Sequence, residues 1–145
     1  MAQPDYVPRA FPVSIKGVVV RDGKVLLLKN ERDEWELPGG RIEPGETPEE
    51  CVAREITEEA QWAVRTGPIL DSWMYHIATV GKDVFIVTYG CYPNTVAEPV
   101  LSHEHREVGL FAEHEVPALT MPAGYKRSIA TWFAHLREGA PELAG

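Results

Sequence analysis

Three glutamates, Glu55, Glu58 and Glu59, have the chemistry and the spacing to act together. At about 100° of turn per residue, a helix with Glu55 at zero puts Glu58 near −60° and Glu59 near +40°, so the three carboxylates share an arc of about 100°. Val52, Ala53, Ile56 and Ala60 fill the adjoining apolar sector, and Arg54 borders the acidic arc on its other side. Like charges this close repel by a few tenths of a kcal/mol per pair, so the face is not arranged for the helix's own stability. A divalent cation among them reverses that sign. A solvated acidic surface is the alternative reading, and the triad alone does not separate the two.

The surrounding residues add context. Thr47 can cap a helix, Pro48 suits its first position, and Glu50 completes a Thr-x-x-Glu capping box, which predicts a helix from Pro48 to about Ala60. Residues 40 to 62 read GRIEPGETPEECVAREITEEAQW. This segment resembles the Nudix box of the Nudix hydrolases, Gly-x5-Glu-x7-Arg-Glu-U-x-Glu-Glu-x-Gly-U with U apolar. Gly40, Glu46, Arg54, Glu55, Ile56, Glu58 and Glu59 fall in register, and Leu37-Pro38-Gly39 is similar to the family's lead-in. One position departs: Gln61 stands where the family has Gly. Either Gln61 takes the left-handed conformation at a cost of ~1 kcal/mol, or the helix ends differently. Trp62, larger than the family's usual aliphatic residue, is expected to fill a core space.

The resemblance implies roles. Glu58 and Glu59 are metal ligands, Glu55 a further ligand or the base acting on the attacking water, and the Gly40 carbonyl a backbone ligand. Arg54 holds the carboxylates in place together with Glu46. Oxygen-only ligands select hard cations, so Mg²⁺ is expected, with Mn²⁺ as the second choice. The implied reaction is attack of water on a phosphorus of a nucleoside diphosphate linked to some group X, with nucleotides or dinucleoside polyphosphates foremost among the small-molecule substrates.

Outside the box, Leu101-Ser102-His103-Glu104-His105 is the most informative stretch. A lone His-Glu-His of this kind reads as loop surface rather than as a two-histidine transition-metal site. The segment is similar to the late loop of diadenosine polyphosphate hydrolases, which makes Glu104 the candidate for an additional catalytic carboxylate, with Glu107 behind it. A solvated loop is the other reading. For substrate binding, Trp35 lies in a polar loop where it is hard to explain as core, and Tyr125 and Lys126 are the further candidates. Trp73 and Tyr75 are aromatic alternatives, and Trp73, Trp132 and Phe133 read as core. ADP-sugar members of the family commonly carry a proline within the stretch Ile77 to Val80, and diadenosine members a tyrosine. This chain has neither, so X stays open.

The elements that must position these residues follow from period and punctuation. Val13 to Val20 and Lys24 to Lys29 read as strands joined at Asp22-Gly23, a tight-hairpin signal. Asn30 to Glu36 reads as a loop, and Leu37 to Gly40 as a break in regular structure. Trp62 to Tyr75, Asp83 to Tyr92 and Glu107 to Ala112 read as further strands, and Ala123 to Arg137 as a helix. This order predicts an α/β fold, a mixed β-sheet sandwiched between helices (α/β/α), in a single domain over residues 1–145 with a Pro-rich leader over 1–12. At 145 residues the chain can bury a core without disulfides. Two cysteines, three prolines in the leader and apolar runs no longer than Val25 to Leu28 point to a cytoplasmic protein without a signal peptide or membrane anchor.

The net charge of −8 speaks against nucleic acid or an anionic membrane as partner. Residues 40–59 hold seven Glu against two Arg, a net of −5, which leaves −3 for the rest. Homodimers are frequent among the relatives the resemblance implies. Two further readings stand beside the hydrolase: a non-catalytic nucleotide-binding sensor, and, within the enzyme class, an ADP-sugar pyrophosphatase. A sensor would have no need of all three carboxylates.

Overall fold

A computed structural model describes residues 9–144. The leader expected over residues 1–12 therefore lies, up to residue 8, outside the described residues. In chain order the elements are β1 (Val13–Arg21), β2 (Lys24–Lys29), β3 (Trp35–Glu36), β4 (Gly39–Arg41), α1 (Pro48–Ala60), β5 (Val64–Ile77), β6 (Lys82–Pro93), β7 (Glu107–Ala112), a 3₁₀ helix (Glu113–Ala118) and α2 (Ala123–Ala144).

The strands form one mixed sheet, β3-β2-β1-β6-β5, with β4 also pairing β1 and β7 also pairing β2. β1 and β6 run parallel, and every other pairing is antiparallel. Successive residues of the central strands point to opposite faces, and both faces are covered. Val18, Val25 and Leu27 pack with Tyr125, Ile129, Trp132 and Phe133 of α2, while Val19 and Leu26 pack with Cys51, Val52, Ile56 and Ala60 of α1. This double burial explains why β1 and β2 read as continuous apolar runs. The α/β sandwich is the architecture expected. Among the described residues, no helix is long and apolar enough to cross a membrane.

Local signals set the best-defined boundaries. Asp22 (φ 52°) and Gly23 (φ 76°) both take positive φ, as a primed two-residue turn requires. At the start of α1, the Glu50 N–H donates to Thr47 Oγ1 at 3.1 Å and the Thr47 N–H to Glu50 Oε1 at 2.8 Å, closing the capping box. At its end, Gln61 adopts the left-handed conformation (φ 58°, ψ 30°), with its N–H on the Thr57 carbonyl. Of the two outcomes open for this position, the chain takes the strained one. Gln61→Gly is expected to stabilise the protein by about 0.5–1 kcal/mol in thermal denaturation; no gain, or a loss, would show that the Gln side chain compensates for its backbone. Trp62 is fully buried as expected, its Nε1 donating to the Ala97 carbonyl at 3.1 Å.

Several sequence expectations need correction. The loop expected over Asn30 to Glu36 ends in β3, which pairs Leu28 with Glu36 and Lys29 with Trp35. The break expected at Leu37 to Gly40 holds β4, pairing Gly39–Arg41 with Ser14–Lys16. Both strands are too short for any periodicity and form because β1 and β2 offer them an edge. β5 begins at Val64 rather than Trp62 and runs on to Ile77, and α2 continues past Arg137 to Ala144.

One feature of the topology positions the site. β1 and β2 pair only at their hairpin end, Val20 with Val25 and Arg21 with Lys24. Beyond that point β1 turns its edge to β4 and β2 turns its edge to β3, so the two strands part like a fork.

Candidate active site

The acidic face of α1 is organised by Arg54. Its guanidinium grips Glu46 in a fork, Nε to Oε2 at 3.0 Å and Nη2 to Oε1 at 2.8 Å. Its Nη1 reaches Glu55 Oε1 at 3.0 Å and Glu58 Oε2 at 3.2 Å. The bidentate Arg54 contact holds the Glu46 carboxyl down at about 2.

Glu55 sits against Gly39 and Gly40 of β4. A Cβ added at Gly40 would stand 2.6 Å from the Glu55 carboxyl carbon, so only Gly admits that side chain there. Gly39 (φ 140°) passes equally close to β1, where a Cβ would meet the Ile15 carbonyl. Burial pushes the Glu55 carboxyl above its ordinary range, against the pull of Arg54.

The third carboxylate does not share the solvated face that helical arithmetic assigns it. Glu59 has a side chain only 5% exposed. The Gly39 N–H donates to its Oε1 at 2.7 Å, and His105 Nε2 lies 3.6 Å from its Oε2. Burial lifts its carboxyl to about 7, more than the Lys16 charge and the Gly39 hydrogen bond draw it down. Glu58, by contrast, is 58% exposed at the rim.

Behind Glu59, in the fork between β1 and β2, lies a cluster that sequence reasoning missed. Lys16 on β1, Glu36 on β3 and His105 in the loop before β7 converge there. Lys16 Nζ donates to the Gly39 carbonyl at 3.2 Å and stands 3.9 Å from Glu36 Oε2. His105 Nε2 donates to Glu36 Oε2 at 3.0 Å, and Asn30 Nδ2 to Glu36 Oε1 at 2.9 Å. The His105 side chain is 7% exposed, and its buried Nδ1 has no partner among the described residues. Burial works against the Glu36 charge, yet Lys16 and the His105 and Asn30 hydrogen bonds hold its carboxyl down at about 2. Burial likewise opposes the Lys16 charge, and Glu36, Tyr125, Glu59 and Glu55 together raise it above the ordinary lysine range. A signal for this cluster was available: a single lysine inside the apolar run of β1 demands a buried partner.

The donor set Gly40 carbonyl, Glu55, Glu58 and Glu59 is all oxygen, which fits a hard divalent cation. Among the described residues, no three His, Cys, Asp or Glu side chains converge at metal-binding distances. Glu55 and Glu58 face the Arg54 guanidinium instead. Holding a cation would require these two to turn from it.

The other sequence candidates fall in different places. Glu104 is exposed in a turn, its N–H on Ser102 Oγ, and it is the neighbouring His105 that points inward. Glu107 is exposed and pairs with Lys29 at 3.3 Å. Trp35 is not free in a loop but half-buried in β3, its ring edge-on to Phe111 with centroids 4.7 Å apart. Tyr125 is buried on the α2 face, 5.2 Å from the ring of Trp73. Lys126 lies on that face too, away from α1, and its Nζ donates to the Pro117 carbonyl at 2.8 Å.

Comparison with known proteins adds family evidence. The NUDIX domain model matches residues 11–133. A MutT-like protein of Streptomyces ambofaciens is 38% identical over 98 residues, which cover 65% of this chain and 61% of that protein. An ADP-ribose pyrophosphatase of Methanocaldococcus jannaschii is 45% identical over 51 residues, covering 32% of this chain and 30% of the relative. Both alignments thus span less than two thirds of the relative's length. Among solved structures, a MutT NUDIX hydrolase from Burkholderia pseudomallei superposes with a TM-score of 0.73 at 26% identity, over 85% of this chain and 98% of the other.

Proposed function

The chain belongs to the Nudix hydrolase family, and from that premise we propose that it is a single-domain, Mg²⁺-dependent enzyme hydrolysing a phosphoanhydride bond in a nucleoside diphosphate linked to a further group X. The observation that carries this reading is the carboxylate set of α1, anchored by Arg54 and packed on Gly39 and Gly40 of β4.

Glu58, Glu59 and the Gly40 carbonyl would hold the cation, with Glu55 as a further ligand or as the base. A hard divalent cation, when bound, neutralises phosphate oxygens and makes a water molecule a better nucleophile. Glu55, half-withdrawn from solvent and pushed upward in pKa, is suited to take a proton from that water. Arg54 gathers Glu46, Glu55 and Glu58 onto one guanidinium, from which Glu55 and Glu58 would turn to meet the cation. Lys16 supplies positive charge near the buried Glu59, and the Gly39 N–H holds that side chain toward β4. The relatives support the substrate class by name, since one is an ADP-ribose pyrophosphatase.

A panel of nucleoside triphosphates, dinucleoside polyphosphates and ADP-sugars, incubated with the protein in Mg²⁺ and again in excess chelator, tests the reading. Turnover of at least one compound that chelator abolishes is the expected result. Absence of metal-dependent turnover across the panel would sink the enzyme assignment and leave the sensor reading.

A further inference from the structure

Trp62 stands where the family box has an aliphatic residue, and it brings what no aliphatic side chain has, a hydrogen-bond donor. The ring is fully buried, and its Nε1 donates to the Ala97 carbonyl at 3.1 Å. Arg21 completes the arrangement. Its guanidinium carbon lies 4.4 Å from the Trp62 ring centroid. Its Nη1 donates to the Ala97 carbonyl at 2.6 Å and to that of Thr95 at 3.4 Å. One carbonyl oxygen of the loop between β6 and β7 is thus gripped by two donors, one from the end of β1 and one from just beyond α1.

That loop has little else to hold it. Residues 94–106 form no helix or strand. Val96 is 97% exposed, Val100 45% and Leu101 43%, so these apolar side chains contribute little burial. The position of the loop rests instead on hydrogen bonds. The Asn94 N–H donates to the Ala63 carbonyl at 2.8 Å, and the Val100 N–H to the Ala60 carbonyl at 3.0 Å. Ala60 is the last residue of α1, whose final carbonyls find no partner within the helix.

Glu59 is met by this loop on two sides. Val100 ties down its neighbour Ala60, and further along the same loop His105 Nε2 lies 3.6 Å from Glu59 Oε2. The left-handed backbone of Gln61 costs this helix end stability, so support from outside the helix matters here. We propose that Trp62 is a positioning residue: by holding the Ala97 carbonyl it fixes the loop between β6 and β7, and through that loop it sets the Glu59 carboxylate for the cation. The proposal rests on the reading of Glu59 as a metal ligand and adds a residue that acts on it from a distance.

Trp62→Phe tests this, because phenylalanine keeps a ring under Arg21 and removes the N–H. Trp132→Phe is the control. Trp132 is equally buried, on the α2 face, and its Nε1 has no partner among the described residues, so the same change there costs ring volume alone. Amide hydrogen exchange is followed by NMR in the full chain without metal, with rates taken relative to the Ile86 and Thr88 amides of β6. The Gly39 N–H reports on Glu59, since it donates to Glu59 Oε1 at 2.7 Å. In Trp62→Phe the Val100 and His105 amides are expected to exchange about fivefold faster and the Gly39 amide about threefold faster. Trp132→Phe should leave all three within about 1.5-fold of the wild type. Arg21→Gln removes the other donor to Ala97 and should repeat the Trp62 pattern, which decides the matter even if Trp62→Phe does not fold. Faster exchange at Val100 with Gly39 unchanged overturns the proposal, because the effect of the clamp would then end within the loop. Equal changes in the two Trp variants overturn it as well and assign the effect to packing. Titration with Mn²⁺ alone should show an apparent affinity about threefold weaker in Trp62→Phe and unchanged in Trp132→Phe. Mn²⁺ affinity unaltered in Trp62→Phe would defeat the proposal and leave the hydrolase reading intact. A wild type that binds no Mn²⁺ would defeat the metal-ligand reading, while the Gly39 amide still decides whether Trp62 positions Glu59.

Discussion

Glu58→Gln is expected to lower metal-dependent turnover by about 10²-fold or more while leaving the fold intact. Glu58 is the most exposed of the three α1 carboxylates, and its protein contact is one arm of Arg54. An exposed ion pair of this kind contributes only ~0–1 kcal/mol to stability, and Gln keeps the length and helix propensity of Glu. On the proposed reading, the substitution therefore removes a charge that would hold the cation and almost nothing else. Steady-state rates, with the denaturation midpoint as control, check the pair of expectations. A near-native rate would mean that the metal ligands are misassigned. A collapse of stability would mean instead that the Arg54 grip holds the helix in place.

Lys16→Met should have the largest effect on stability, a loss of about 3–5 kcal/mol in urea denaturation. Lys16 is buried in β1 with its ammonium near Glu36 and on the Gly39 carbonyl, and Glu59 lies close enough to feel its charge. Methionine matches the shape of the stem but leaves the Glu36 carboxylate in the fork with His105 and the neutral Asn30 amide as its partners. Adding Glu36→Gln removes that uncompensated charge, so the double variant should lose less than the sum of the singles by about 1 kcal/mol or more. Strict additivity would show that Lys16 acts through packing rather than charge. A single-variant cost below about 1 kcal/mol would show that water reaches the fork.

The parts of the fold that were legible in the sequence are those decided locally. The capping box of α1 and the Asp22-Gly23 turn each draw on a few adjacent residues, and both appear as expected. β3 and β4 are decided by distant partners, and two or three residues carry no period from which to read them. The same division runs through the site. Helical arithmetic put Glu55, Glu58 and Glu59 on one face. It could not show that Glu59, which borders the apolar sector at about +40°, is closed over by Gly39 and His105. In Ser102–His105 the residue type drew the eye to Glu104, whereas the turn there sends His105 inward and leaves Glu104 in solvent. Lys16 was the legible residue left unread, a lone charge in a strand buried on both faces.

Under the proposed function, the manifold contact of Arg54 would make cation capture on α1 a competition rather than a simple addition. Glu55 and Glu58 share one guanidinium nitrogen, Nη1, so an ion that takes both must first outbid a charge already in place. The apparent affinity is the intrinsic one reduced by what that guanidinium gives up. Weakly attracted monovalent ions would be filtered out by this handicap, whereas a divalent ion that brings twice the charge would overcome it.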